Sequence, residues 1–281
     1  MMSRRRTRRR AYGKSHPSSP ATLQLRHSNQ SIYTWGIQKI PVSNHPAQIK
    51  IAMARSGVKL PGSRYSPFVN RVVMALEMKS IEYEIVEMSP YEKPELLVKN
   101  NPIHKKVLVL IHGDDPICES LIILQYIDDA WTNGPSLLPL DPYERSIARF
   151  WAAFLDDKLA PLLKEVNMVE GEEAKKPVLE KIFEALLFME EALIKCSKGK
   201  AFFGGEDVGY IDIALGSHVG WIRVYETLIG TKIFDESKTP FLVRWAERLY
   251  SDSLVKDVML EPQMLLELLK KFQAMTEAAS D

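Results

Sequence analysis

Long apolar runs are missing from this chain of 281 residues. None approaches the ~18 consecutive residues that suggest a membrane span. Cysteine is scarce too: Cys118 and Cys196 are the only two. They are too few and too far apart for a disulfide framework or a metal knuckle, and they fit a reducing compartment. The six histidines are scattered without ligand spacing, so no metal site is read. Acid is absent from residues 1–55, which carry eleven Lys/Arg and no Asp or Glu. The remainder holds 26 basic against 36 acidic residues, a net of −10. That balance argues against nucleic-acid binding by the folded body.

What is present is the composition of a soluble globular protein, long enough for one large domain or two smaller ones. Residues 1–52 stand apart. The clusters Arg4-Arg5-Arg6 and Arg8-Arg9-Arg10 repel themselves, and low apolar content predicts disorder. Three readings compete for this segment. It is not part of the functional protein, which then starts near Met53; or it is a transit peptide for an organelle; or it is a nuclear or polyanion address. The first is preferred.

From residue 57 the pattern becomes regular. Val58-Lys59-Leu60 reads as a strand. Pro67 to Lys79 reads as a helix with Phe68, Val72, Ala75, Leu76 and Met78 inward. Tyr83 to Val86 alternates as a strand does, and Pro94 to Lys99 reads as a short helix or turn. Val107 to Ile111 is a continuous apolar run, typical of a buried strand. Gly113-Asp114-Asp115 signals a hairpin turn before a short strand, Pro116 to Cys118. A helix then runs from Glu119-Ser120 to Trp131, with Leu121, Leu124, Tyr126 and Ile127 inward. The order is βαβ-α-ββα. Asn133-Gly134-Pro135-Ser136 and Leu140-Asp141-Pro142 punctuate a linker, and everything beyond reads as helix. Pro142 to about Lys164 carries Ile147, Phe150, Trp151, Phe154 and Leu155 at helical spacing. Further helices span Ala174 to Cys196, Tyr210 to Ile229, and Thr239 to Tyr250, and a last one starts at Glu261-Pro262. The domains expected are 57–133, a linker 134–143, and a helical domain 144–276.

Ser66 is the first candidate for chemistry. Pro67 suits the first turn of a helix, so Ser66 falls at the N-cap, where the helix dipole favours an anion such as a thiolate. From these residues alone, a plain helix cap is the preferred reading. Cys118 reads as a small core residue. Asp212, in the first turn of its helix, reads as a folding and capping residue.

The runs Ser66-Pro67-Phe68-Val69-Asn70-Arg71-Val72, Asn101-Pro102-Ile103-His104-Lys105-Lys106-Val107 and Glu119-Ser120-Leu121 together resemble a plant glutathione S-transferase of the tau class. So do Asp141-Pro142-Tyr143-Glu144-Arg145, Ala148-Arg149-Phe150-Trp151, Phe202-Phe203-Gly204-Gly205 and Gly209-Tyr210-Ile211-Asp212. The resemblance covers about residues 57–275 and leaves residues 1–52 out. It implies an α+β fold, a thioredoxin-like domain followed by an all-α helical domain. It implies a transferase that joins glutathione to hydrophobic electrophiles in detoxification, with glutathione as co-substrate and no other cofactor. It also implies a cytoplasmic homodimer.

By the same resemblance, the Ser66 hydroxyl donates to the glutathione sulfur and favours thiolate over thiol. Glu119 and Ser120 hold the γ-glutamyl end. Lys93 and Lys106 face the glycyl carboxylate, and the Val107 backbone pairs with the cysteinyl unit. For Arg71 a structural salt bridge and a ligand contact stay open. Arg64, Phe68, Phe154, Trp221 and Tyr225 are candidates for the wall of the second-substrate pocket. Three positions depart from the family pattern. Leu108 stands where the family has a cis-proline, which implies weaker glutathione binding; Arg64-Tyr65 replaces the usual Trp-Pro and implies a more polar pocket. A binder of hydrophobic ligands without turnover is the alternative function, and a scaffold on the same fold ranks third.

Overall fold

The structure is a computed structural model that describes residues 57–88, 100–101, 103 and 108–280, with side chains to residue 271. The short helix predicted over Pro94–Lys99 lies outside the described residues. The described part begins with a four-stranded sheet in the order β2-β1-β3-β4. Strand β1, Val58–Gly62, pairs parallel with β2, Glu84–Glu87, and antiparallel with β3, Val109–His112. Strand β4, Asp115–Cys118, closes one edge against β3. The hairpin turn is shorter than predicted: Gly113, at φ +64°, and Asp114 make it, and Asp115 already pairs with His112. Pro116 is tolerated because β4 is an edge strand.

Helix α1, Pro67–Met78, and helix α2, Ser120–Ala130, pack against each other. Val69, Val72, Ala75 and Leu76 of α1 are fully buried, as are Ile123, Leu124 and Ile127 of α2. Phe68, predicted inward, is 39% exposed. It sits in the first turn of α1, ahead of the stretch that the sheet and α2 cover. Gly62 ends β1 where no side chain fits, because a Cβ there would come 2.7 Å from Val69 Cγ2. The lack of a side chain lets the start of α1 close down on the end of β1.

The rest is helical: α3, Pro142–Phe154; a π turn, Leu155–Leu159; α4, Ala160–Met168; α5, Glu172–Ser197; α6, Tyr210–Ile229; α7, Pro240–Ser251; α8, Ser253–Val258; and α9, Pro262–Ser280. Two expectations need correction here. The single helix predicted from Pro142 to Lys164 is interrupted by the π turn. Its inward face differs in part: Leu155 is buried as expected, but Ala148, Ala152 and Leu159 are buried with it, while Phe150 is 57% exposed. Small residues let α3 come close to α6, so Trp151 and Phe154 pack only at the margin of the core and Phe150 stays exposed. There Phe150, Trp151 and Phe154 meet edge to face, at 5.0 and 5.5 Å between ring centres.

One apolar cluster runs without a break from Val58 and Leu60 in the sheet, through α1 and α2, to Ile213, Leu242 and Trp245 in the helical part. Asp212, fully buried, anchors that part. Its carboxylate accepts from the backbone N–H groups of Phe203, Gly204 and Gly209, each at 2.9 Å, and from Trp245 Nε1 at 2.7 Å. Gly204 and Gly209 meet back to back, where a Cβ on either would lie 2.9 Å from the other's Cα. The folding role read for Asp212 is the one it has. Burial raises its pKa to about 6, against four hydrogen bonds that favour the ionised form.

Candidate functional site

The site is built on the turn between β1 and α1. The Ser66 N–H donates to the Ser63 carbonyl at 2.9 Å, which puts Arg64 and Tyr65 at the corner of the turn. From the far side, Trp221 Nε1 on α6 donates to the Tyr65 carbonyl at 3.0 Å and pins the turn in place. Ser66 has extended backbone, φ −81° and ψ 126°, and its carbonyl accepts the first helical bond, from Asn70 N–H at 3.0 Å. By backbone it is the N-cap residue. Its side chain, however, makes no capping hydrogen bond. The plain-cap reading therefore fails on the point that matters: the helix does not use the hydroxyl.

Glu119 and Ser120 open α2. Glu119 has φ +69° and ψ 116°, a backbone conformation that side chains other than glycine rarely adopt. Such outliers cost on the order of 1–3 kcal/mol and collect at ligand sites. Ser120 is buried, and its Oγ accepts from Arg71 Nη1 at 3.1 Å.

Arg71 connects this region to the helical part. Its side chain is wholly buried, little more than one turn along α1 from Ser66. Nη1 and Nη2 donate to the two Asp156 carboxylate oxygens at 3.0 and 2.7 Å. Nε and Nη2 both donate to the Ala214 carbonyl, at 3.2 and 3.0 Å, and Nε also reaches Ser217 Oγ at 3.2 Å. Asp156 sits in the π turn, and such single-turn bulges recur at functional sites because they re-aim a side chain. Of the two readings left open for Arg71, the structure shows the structural ion pair, and the same side chain also donates to Ser120.

His218 Nε2 lies 3.2 Å from Arg71 Nη2 and accepts from it, so that nitrogen carries no proton. Burial, and then the Arg71 charge, hold the His218 pKa well below the ordinary histidine value. The Phe68 ring lies over the Arg71 guanidinium at 5.0 Å and meets His218 edge-on at 5.7 Å. Neither His218 nor Asp156 carried any signal in the sequence. Their partner is 147 and 85 positions away.

The remaining predicted residues divide. Arg64 projects from the turn to Glu87 on β2, Nε to Oε2 at 3.4 Å. Trp221 is committed to holding the turn, and its ring lies 6.0 Å from that of Tyr225. Phe154 belongs to a separate group of rings, 5.5 Å from Trp151 and 6.1 Å from Phe188. Leu108 is buried in the core, while Lys93, Lys106 and Val107 lie outside the described residues. Cys118 is half-buried and its Sγ donates to the Asn100 carbonyl at 3.6 Å. Burial, and then the charge of Glu119, push its thiol pKa up, which makes it a poor nucleophile.

Similarity to known proteins is strong over this part. Residues 56–129 match the N-terminal domain of the glutathione S-transferases. Glutathione S-transferase U17 of Arabidopsis thaliana is 50% identical over 220 residues, covering 78% of this chain and 97% of that protein. A tau-class glutathione S-transferase from mango, Mangifera indica, is 52% identical and superposes with a TM-score of 0.75 over 78% of this chain and all of its own. A rice glutathione transferase solved in complex with glutathione is 31% identical, with a TM-score of 0.71 over 78% of this chain and 98% of its own.

Proposed function

Since this chain belongs to the tau class of the glutathione S-transferases, we propose a division of labour among its residues for the chemistry of that family. The chain is a glutathione transferase, with glutathione as a substrate. Ser66 donates its hydroxyl to the glutathione sulfur at the N-terminus of α1. There the helix dipole and the hydroxyl both favour thiolate. The observation that carries this role is that the Ser66 side chain makes no capping bond with its own helix.

The thiolate then attacks a hydrophobic electrophile. A carbon–sulfur bond forms, the bond to the leaving group breaks, and the thiol proton passes to solvent. No covalent enzyme intermediate is needed; the protein contributes position and electrostatics. Glu119 and Ser120 take the γ-glutamyl end, and the strained backbone at Glu119 supports a ligand-binding role there. Arg71 acts through Ser120, by fixing its hydroxyl. For Lys93 and Lys106 we propose the glycyl carboxylate, and for the Val107 backbone the cysteinyl unit. Phe68, Tyr225 and Phe154 are proposed for the second-substrate wall, with Trp221 acting behind it by holding the turn. Detoxification of electrophiles as a cytoplasmic homodimer is the wider role proposed.

The experiment is retention of the full chain on immobilised glutathione, followed by turnover of 1-chloro-2,4-dinitrobenzene by wild type and Ser66→Ala. The wild type is retained and active, and the variant loses about a hundredfold or more in kcat/KM, the scale of losing a transition-state donor. An equally active variant removes Ser66 from the mechanism. Retention without turnover by the wild type makes the chain a binder.

A further inference from the structure

The structure holds two arginines near Ser66, in opposite states. Arg71 is fully buried, and its donors are spread over Asp156, Ala214, Ser217, Ser120 and His218. Arg64 has a side chain 36% exposed and a single ion pair, through Nε alone, to a Glu87 side chain that is itself 45% exposed. Among the described residues, neither terminal amino group of Arg64 has a hydrogen-bond partner. Arg64 also has a fixed base. It is a corner residue of the Ser63–Ser66 turn, whose closing bond is 2.9 Å and whose other corner, Tyr65, is pinned by Trp221.

We propose that Arg64 makes this site select electrophiles that carry a carboxylate. The inference rests on the function proposed above, and names the substrate class of that same site. The physical argument is the shape of the guanidinium. Its two terminal N–H groups form a planar fork that matches a carboxylate oxygen for oxygen. The 3.4 Å contact of Nε with Glu87 orients the fork without occupying it. The body of the chain is net acidic, so an anionic substrate gains from a local cation carried by the same turn as Ser66. The covalent step is unchanged. The thiolate forms the carbon–sulfur bond, the leaving group departs with its electron pair, the thiol proton goes to water, and the distant carboxylate takes no part.

The test compares two electrophiles with the same reacting carbon, 4-chloro-3,5-dinitrobenzoate and the neutral 4-chloro-3,5-dinitrobenzamide. Both lose chloride to the glutathione thiolate. The readout is the ratio of their kcat/KM values, at saturating glutathione, for the full-length wild type, Arg64→Gln and Glu87→Gln. Arg64→Gln lowers the benzoate-to-benzamide ratio about fivefold, the scale of a partly exposed charge pair. Glu87→Gln removes the competing carboxylate and raises it about twofold. A ratio in Arg64→Gln within about twofold of wild type overturns the proposal while leaving the transferase reading intact. If the wild type turns over 1-chloro-2,4-dinitrobenzene but neither of these compounds, this proposal falls while the transferase reading stands; if it turns over none of the three, the transferase reading falls as well.

Discussion

Arg71 and Asp156 form a two-pronged pair, 3.0 and 2.7 Å, in which the guanidinium side chain is 0% exposed and the carboxylate side chain 29%. The pair is lopsided in its access to water, and so are the consequences of breaking it. Removing Asp156 leaves a cation that cannot be hydrated. Removing Arg71 leaves a carboxylate that can. Asp156→Asn is therefore expected to cost about 3 kcal/mol or more, in the range for breaking a buried pair. Arg71→Met, which keeps most of the volume, should cost less. Urea unfolding of both variants checks the order. In Arg71→Met the Ser120 hydroxyl loses its donor, so the KM for glutathione should rise as well.

Ser66 gives a prediction about stability that separates it from an ordinary cap. A Ser N-cap replaced by Ala costs about 0.5–2 kcal/mol where the hydroxyl bonds the helix. Here it does not. Ser66→Ala should unfold within about 0.5 kcal/mol of the wild type, the scatter of a neutral change. A loss of about 1 kcal/mol or more in denaturant melts would falsify the claim that the helix leaves this hydroxyl unused.

Gly62 sets how closely α1 approaches the sheet. An added Cβ would meet Val69 Cγ2 at 2.7 Å, and Val69 is a stiff, fully buried β-branched residue. Gly62→Ala is expected to cost about 1–3 kcal/mol by overpacking. The strain falls on the turn that carries Ser66, so kcat/KM should drop along with the melting temperature. Unchanged activity in a destabilised variant would show that the turn moves independently of the helix start.

His218 contributes a pH dependence of known sign. Its folded pKa lies well below 6.5, because burial and then the Arg71 charge oppose the imidazolium. The unfolded chain binds that proton more readily. The stability that comes from keeping His218 neutral is fully present above about pH 6.5 and is lost as pH falls toward the folded pKa. His218→Gln keeps an acceptor for Arg71 but cannot titrate. Between pH 7.5 and 5, the wild type should lose unfolding free energy more steeply than the variant. Parallel curves would place the proton elsewhere.

Much of the frame was legible in the residues. Helix α6 spans Tyr210–Ile229 as predicted, since Gly209 precedes it and Gly230, at φ +71°, ends it. Helix α1 starts at Pro67 for the same kind of local reason. The face of α3 was not legible. Its aromatics lie at helical spacing, yet Ala148 and Ala152 face inward, because the distance to α6 selects small side chains over large ones. Helix α8, Ser253–Val258, was missed as well. It is a short helix whose start depends on the Asp252 side chain accepting from Leu254 and Val255 N–H groups.

The sequence by itself determined where the chain turns and where helices begin, because proline, glycine and capping residues act over one turn of backbone. It put Ser66 before Pro67, and Glu119-Ser120 at the start of another helix. Only the tertiary structure decided what surrounds those positions and which of their groups are left unused. Ser66 keeps its hydroxyl out of the cap, and Trp221 holds its turn from α6. The start of α7 shows the same division of causes: its first N–H groups are satisfied by Glu190 of α5, at 2.8 and 2.7 Å, and not by Thr239 beside them. The reason is one of range. A buried donor needs an acceptor at about 3 Å whatever its place in the chain, and for Arg71 the fold supplied those acceptors from residues 49 to 147 positions away.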